Sequence, residues 1–169
     1  MPTNLEIEKK YIIAYPDVEY LKSIDDCTYT NIEQIYLLSE DPSCSERIRK
    51  RGMNGDYKYY HTIKRHVSEL VREETENLIT EEEYKEFKKR ANPNLSIIRK
   101  TRYVIPYKGH VMEIDVFPFW NRQAYLEVEL ESSHVIPEIP EYIKCICEVS
   151  GDKKYSNHAL AYKIPEQII

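Results

Sequence analysis

Glycine is scarce in this chain, at 4 of 169 residues, and so are Phe at 3, Trp at 1 and Cys at 4. No apolar run reaches the length of a membrane-crossing helix, which sets aside a membrane partner of that kind. The opening MPTNLEIEKK lacks the basic-then-apolar plan of a secretory leader, so the expected location is the cytoplasm. The cysteines fit that compartment as free thiols. Cys145 and Cys147 lie in IPEYIKCICEVS, whose spacing reads as helix, and the second ligand pair that a zinc site needs is missing. Repeats, low-complexity stretches and linkers are also missing, so residues 1–169 read as one domain. The net charge of −5 speaks against a general nucleic-acid surface but leaves room for a local basic site.

What the chain does have is tyrosine, 15 residues, and charge, 31% of the total. Strand-like segments recur: LEIEKKYII, NIEQIYLLS, SERIRKR, YKYYHTIKR, ELVREETENLIT, IIRKTRYVIPY, HVMEIDVFPF and AYLEVELE. Asn54-Gly55-Asp56 and Lys108-Gly109-His110 punctuate them as hairpin turns. Helices are expected from about Pro16, over TEEEYKEFKKR with Thr80 and Glu83 as a capping box, over IPEYIKCICEV after Pro140, and in the tail NHALAYKI. The class is α+β, dominated by antiparallel strands.

The charges alternate along these strands. Glu6, Glu8 and Lys10 sit two apart and therefore share one face of a strand, with Leu5, Ile7, Tyr11 and Ile13 on the other. Arg47, Arg49 and Arg51 do the same, as do Tyr60, Thr62 and Lys64, then Arg72, Glu74 and Glu76, then Lys100 and Arg102. Glu113, Asp115 and Phe117 form another such row, and Tyr125, Glu127, Glu129 and Glu131 the last. One strand of this kind means an amphipathic sheet wetted on its charged side. Here each strand carries its own sign, and segregated signs suit a site that holds both divalent cations and a polyanion. If the sheet closes, the charged faces point inward and the apolar faces turn outward under the helices.

In order along the chain, EIEKK, EQIYL, ERIRKR, HTIK, REETE, KTRY, EIDVF, LEVEL and GDKKYSNHALA resemble the CYTH superfamily, the triphosphate tunnel metalloenzymes. The resemblance is nearest to small bacterial members that hydrolyse inorganic tripolyphosphate, with thiamine triphosphatases and class IV adenylyl cyclases as relatives. It implies a closed eight-stranded antiparallel β tunnel with a charged lumen and helices packed outside. It further implies that Glu6, Glu8, Asp115, Glu127 and Glu129 hold Mg2+ or Mn2+. Lys10, Arg47, Arg49, Lys64, Lys100 and Arg102 then grip the triphosphate. Glu74 and Glu76 match an acidic pair suited to a second metal or to supporting the basic residues, a place that Glu113 shares. Tyr36 stands where relatives carry a tyrosine near the first-strand lysine, although Ile35 replaces their glycine. The tail resembles a segment that packs near one tunnel mouth.

The implied reaction is metal-assisted hydrolysis of a terminal phosphoanhydride, with water oriented by metal or by Glu129. Lys10 acting with Tyr36 is the other way to supply the base. The competing readings are a class IV adenylyl cyclase making cyclic AMP from ATP and a non-catalytic phosphate- or polyphosphate-binding module. The expected partner is a small triphosphate, bound by a monomer or homodimer. His61 is opposite in parity to Thr62 and Lys64 and belongs outside the tunnel, while Trp120 reads as packing.

Overall fold

In the computed structural model, which describes residues 3–68 and 70–169 and the side chains from Leu5 onward, all eight expected strand segments form strands. Glu69, the first residue of the expected fifth segment, lies outside the described residues. The strands are β1 (Thr3–Ala14), β2 (Thr28–Tyr36), β3 (Cys44–Met53), β4 (Asp56–His66), β5 (Val71–Ile79), β6 (Ile98–Tyr107), β7 (His110–Val116) and β8 (Gln123–Glu129). They hydrogen-bond in the order β5-β4-β3-β2-β6-β7-β8-β1, and β1 returns to β5 with Glu6 opposite Arg72, which closes an eight-stranded antiparallel barrel. Closure removes the exposed edges that such a sheet would otherwise present. The two predicted hairpins are made at Asn54-Gly55 (φ 54° and 84°) and Lys108-Gly109 (φ 46° and 80°), with both central residues left-handed as tight hairpins require.

The apolar faces point outward and are covered. Helix α1 (Val18–Ser23) buries Leu21 on a core with Ile13, Ile105, Ile114, Leu126 and Val128. Helix α2 (Glu81–Lys88) lays Tyr84 and Phe87 over Ile35, Leu37 and Ile48. Its capping box is complete, with Thr80 accepting from the Glu83 N–H and Glu83 accepting from the Thr80 N–H. His61 lies on this outer side, stacked on Phe87 and in contact with Glu46 at 2.6 Å. No helix among the described residues is long and apolar enough to cross a membrane.

The helix expected after Pro140 does not form. Cys145–Glu148 is instead a ninth strand, β9, antiparallel to β1 with Tyr11 opposite Glu148 and Ile12 opposite Cys147. The reason lies in β1. Its pairing with β5 runs only from Thr3 to Ile7, so its backbone groups further along would lack partners on that edge. The short CICE run satisfies them. All four cysteines are free thiols.

Helix α3 (Asn157–Tyr162), expected from NHALAYKI, inserts Leu160 and Ala161 among Ile12, Tyr36, Ile98, Phe117, Trp120 and Tyr125. Ile12, Phe117 and Tyr125 share parity with charged lumen residues and Tyr36 stands opposite Arg47, so the lumen is charged along most of its length and apolar at the tail end. Trp120, as expected, is packing: it is buried, and its indole donates to the Pro165 carbonyl at 3.0 Å.

Candidate active site

Strand parity places the sequence-predicted residues in one lumen, and strand register decides which of them meet. Arg102 stands opposite Asp115 across β6 and β7, and its guanidinium forks onto that carboxylate at 2.8 and 2.9 Å. Lys100 adds a third bond to Asp115 at 2.8 Å, and Arg102 also reaches Glu113 at 3.0 Å. Asp115 is thereby committed to two cations. On the other wall Lys64 lies between Glu6 at 3.0 Å and Glu74 at 3.4 Å, and Arg49 meets Glu76 at 3.2 Å with Thr62 donating to the same carboxylate oxygen. Lys10 faces Glu127 at 3.5 Å and rests 4.1 Å over the ring of Tyr125.

Three carboxylates converge, each also paired with one cation: Glu113 with Arg102 at 3.0 Å, Glu127 with Lys10 at 3.5 Å and Glu8 with Arg72 at 3.8 Å. Oxygen atoms of Glu8, Glu113 and Glu127 all lie within 4.8 Å of one another. Of the residues implied as metal ligands, Glu8 and Glu127 belong to this group, and Glu113 joins them from the supporting set. Glu6, held by Lys64, and Asp115, held by both Lys100 and Arg102, fall outside the group, and Glu129 sits at an exposed position on β8. Burial and the charges of Glu127 and Glu6 push the Glu8 carboxyl well above the ordinary range. Burial works the same way on Glu127, but Lys10 and Arg102 outweigh it and hold that carboxyl low. Carboxylates gathered this closely repel one another, and a cation placed among them relieves that repulsion.

The basic side is short of negative charge. Arg47 is only 6% exposed, yet among the described residues no side chain makes a hydrogen bond or ion pair with it, and its buried Nε has no partner. Burial opposes its charge, while Tyr36, Glu6 and Glu74 nearby keep it protonated. Burial together with Arg47 and Arg102 lowers Arg49 to about 10, and burial lowers Lys100 to about 7 against the pull of Asp115. Cations crowded this way are relieved by an anion placed among them. Tyr36 lines the same small cavity as Lys10, Arg47 and Lys64, with its hydroxyl accepting from Gln34 at 2.8 Å.

A family model of the CYTH domain matches residues 4–155. The chain belongs to the CYTH domain family. Among solved structures it resembles the inorganic triphosphatase NE1496, at 28% identity over 95% of this chain and 97% of that one, with a TM-score of 0.58. It also resembles a conserved hypothetical protein from Pyrococcus furiosus, at 24% identity, 76% and 80% coverage and a TM-score of 0.58. A third likeness, at 18% identity, 75% and 80% coverage and a TM-score of 0.55, is to a putative adenylyl cyclase from Hippeastrum described as having a dominant triphosphatase activity. No curated protein matches the chain in sequence.

For a CYTH domain, divalent metal use is implied, and the donor set fits it. Glu8, Glu113 and Glu127 offer the oxygen ligands that hard cations take. Two lumen features were not among the site residues inferred from sequence. Arg72, which shares parity with Glu74 and Glu76, approaches Glu8 at 3.8 Å. The tail contributes Ser150, Asn157 and His158 to the cavity of Lys10 and Arg47, a placement that strand parity cannot reveal.

Proposed function

We propose that this protein is a divalent-metal-dependent triphosphatase that hydrolyses a phosphoanhydride bond of inorganic tripolyphosphate. An organic triphosphate, such as thiamine triphosphate or a nucleoside triphosphate, is the second substrate class. The observation that carries this reading is a buried Arg47, without a side-chain partner among the described residues, in the same lumen as the three converging carboxylates of Glu8, Glu113 and Glu127. An anion alone would add to the negative charge already gathered at Glu8, Glu113 and Glu127, and a cation alone would leave Arg47 without a partner. A metal–polyphosphate complex satisfies both.

Glu8, Glu113 and Glu127 would hold Mg2+ or Mn2+, which supplies Lewis-acid neutralisation of phosphate oxygens. Arg47, Lys10 and Lys64 face the substrate as fixed positive charges and offset the charge that gathers on phosphate oxygens as the bond breaks. Arg49, Lys100 and Arg102 extend the grip. Their carboxylate partners, Glu76, Asp115 and Glu113, keep these cations in position, a supporting role. Glu129 is suited to take a proton from water: its residue reaches solvent, while partial desolvation of its carboxyl and the charge of Glu113 raise that carboxyl above the ordinary value. Lys10 and Tyr36 share one cavity and are the alternative pair for that role.

The test is a panel of tripolyphosphate, ATP and thiamine triphosphate with Mg2+ or Mn2+. Release of phosphate that a chelator abolishes is the expected result. Cyclic nucleotide from ATP would replace the reading by a cyclase, and tight binding without turnover would replace it by a binding module. Glu127→Gln keeps the shape and removes the charge, so metal affinity and turnover should fall together, by roughly tenfold or more.

A further inference from the structure

Two cavities meet where the tail crosses the tunnel mouth. The inner one, about 80 Å3, has Lys10, Tyr36, Arg47 and Lys64 on its barrel side and Ser150, Asn157 and His158 on its tail side. The outer one, about 360 Å3, continues to His66 and Lys153. Ser45, Lys64 and Arg72 from the barrel and Gly151, Ser156 and His158 from the tail line both, and so form the neck between them. The tail therefore fills the apolar end of the lumen and leaves a passage beside it.

Both walls of the inner cavity carry buried polar atoms without partners among the described residues, Arg47 Nε on the barrel and Asn157 Oδ1 on the tail. Ser156 is already used, since its Oγ accepts from the Ala159 N–H at 3.0 Å. His158 sets its ring edge-on to Tyr36, 4.9 Å between centroids, with its outer side open to the vestibule. A water occupies roughly 10–15 Å3 on such a measure. The inner cavity therefore takes a few waters or one phosphoryl group, and a nucleoside is too large for it.

We infer that Asn157 and His158 complete this cavity as a subsite for a single phosphoryl group, either the terminal phosphate of the substrate or the orthophosphate product. The inference deepens the triphosphatase reading and depends on it only for the source of the phosphate. Arg47 and Lys64 supply the charge. The Asn157 amide can present its oxygen to a P–OH or, turned over, its NH2 to a P–O−. A chain-terminal phosphoryl group carries such a P–OH when protonated, and an internal one does not. The tail wall is held in place before any ligand arrives. The Ser150 hydroxyl accepts from the Lys10 N–H at 2.9 Å, the Val149 N–H donates to the Lys10 carbonyl at 2.8 Å, and the Ser96 N–H donates to the Ala161 carbonyl at 2.7 Å. Little ordering is then left for binding to impose.

The experiment follows the imidazole resonances of the intact protein by NMR, with chelator present, while orthophosphate or tripolyphosphate is added. His158 should shift in a saturable way, with His61, His110 and His134 as unmoved references. A shift with orthophosphate identifies a product site, and a shift with tripolyphosphate alone identifies the terminal phosphoryl group. Asn157→Leu should weaken that binding by about tenfold. His158→Phe, which keeps the ring against Tyr36, should weaken it severalfold. A His158 resonance unmoved by either anion overturns the inference even if hydrolysis is robust. A saturable His158 shift in a protein that hydrolyses nothing in the panel would sustain the subsite and sink the triphosphatase reading.

Discussion

Arg47 and Ile48 are neighbours on β3, both buried, and opposite in what burial has done for them. Ile48, 0% exposed, is enclosed by Ile35, Leu37 and Tyr84 under α2. Arg47, 6% exposed, faces the lumen without an ion-pair partner among the described residues. The outer face of the barrel is complete as it stands, and the inner face is complete only with something added. Burial alone does not separate a stabilising residue from a functional one; whether the buried group is satisfied does.

The largest effect should come from the inner side. Arg47→Ala removes a preset charge from the phosphate grip and should lower kcat/KM by roughly 10²–10³-fold, about 3–4 kcal/mol of transition-state stabilisation. It also removes a buried charge that is unpaired among the described residues and repels Arg49 and Arg102. Melting temperature in phosphate-free buffer should therefore stay level or rise. A variant that loses stability and keeps its activity would place Arg47 on the structural side of the comparison.

Ile48→Asp is the converse. A carboxylate pressed into the apolar layer beneath α2 should cost roughly 2–4 kcal/mol of stability. Activity per folded molecule should change little, since Ile48 faces away from the lumen. Denaturant unfolding and activity corrected for the folded fraction separate the two outcomes, and finding them reversed would turn the barrel inside out.

How much of this was readable beforehand depends on period and on register. The two-residue period of a strand showed which side chains share a face, and so the lumen assignment of Glu8, Arg47 and Lys100 was visible in the sequence. Parity does not give depth or neighbours. That Asp115 is held by Lys100 and Arg102 while Glu113 joins Glu8 and Glu127 depends on β6–β7 and β7–β8 register, which no local pattern encodes. The ninth strand was missed for a related reason. Cys145–Glu148 is strand because β1 has an open edge there, a demand arising far away in the chain. The tail showed its helix but not its cavity, because a wall made jointly with Lys10 and Arg47 exists only once the barrel has closed.

A smaller effect separates the cover from what it covers. Thr80→Ala breaks the capping box of α2 and should cost about 1 kcal/mol, within the usual range of roughly 0.5–2. The loss should appear in unfolding free energy with kcat/KM unchanged, because α2 packs on the outer faces of β2, β3 and β4. A fall in turnover at constant stability would mean that the outer face communicates with the inner one.

The smallest effect concerns pH and the same outer layer. The Tyr84 hydroxyl donates to Glu33 at 3.0 Å, and burial together with the charge of Glu33 raises its pKa well above the ordinary value near 10. At alkaline pH the folded protein keeps a proton that the unfolded chain releases. The contribution of Tyr84 to stability is therefore whole below pH 10 and drains away as pH rises beyond it. Tyr84→Phe removes that drain along with the hydrogen bond, so the variant should start less stable and lose less per pH unit above 10. Tyr11 and Tyr59, both raised to about 12, titrate in the same direction and will leave part of the slope in place. Urea midpoints from pH 8 to 11 for both proteins measure the difference. Parallel slopes would show that the Tyr84 phenol ionises as freely in the folded protein as in the unfolded chain, and that the layer over Ile48 is wetter than its burial implies.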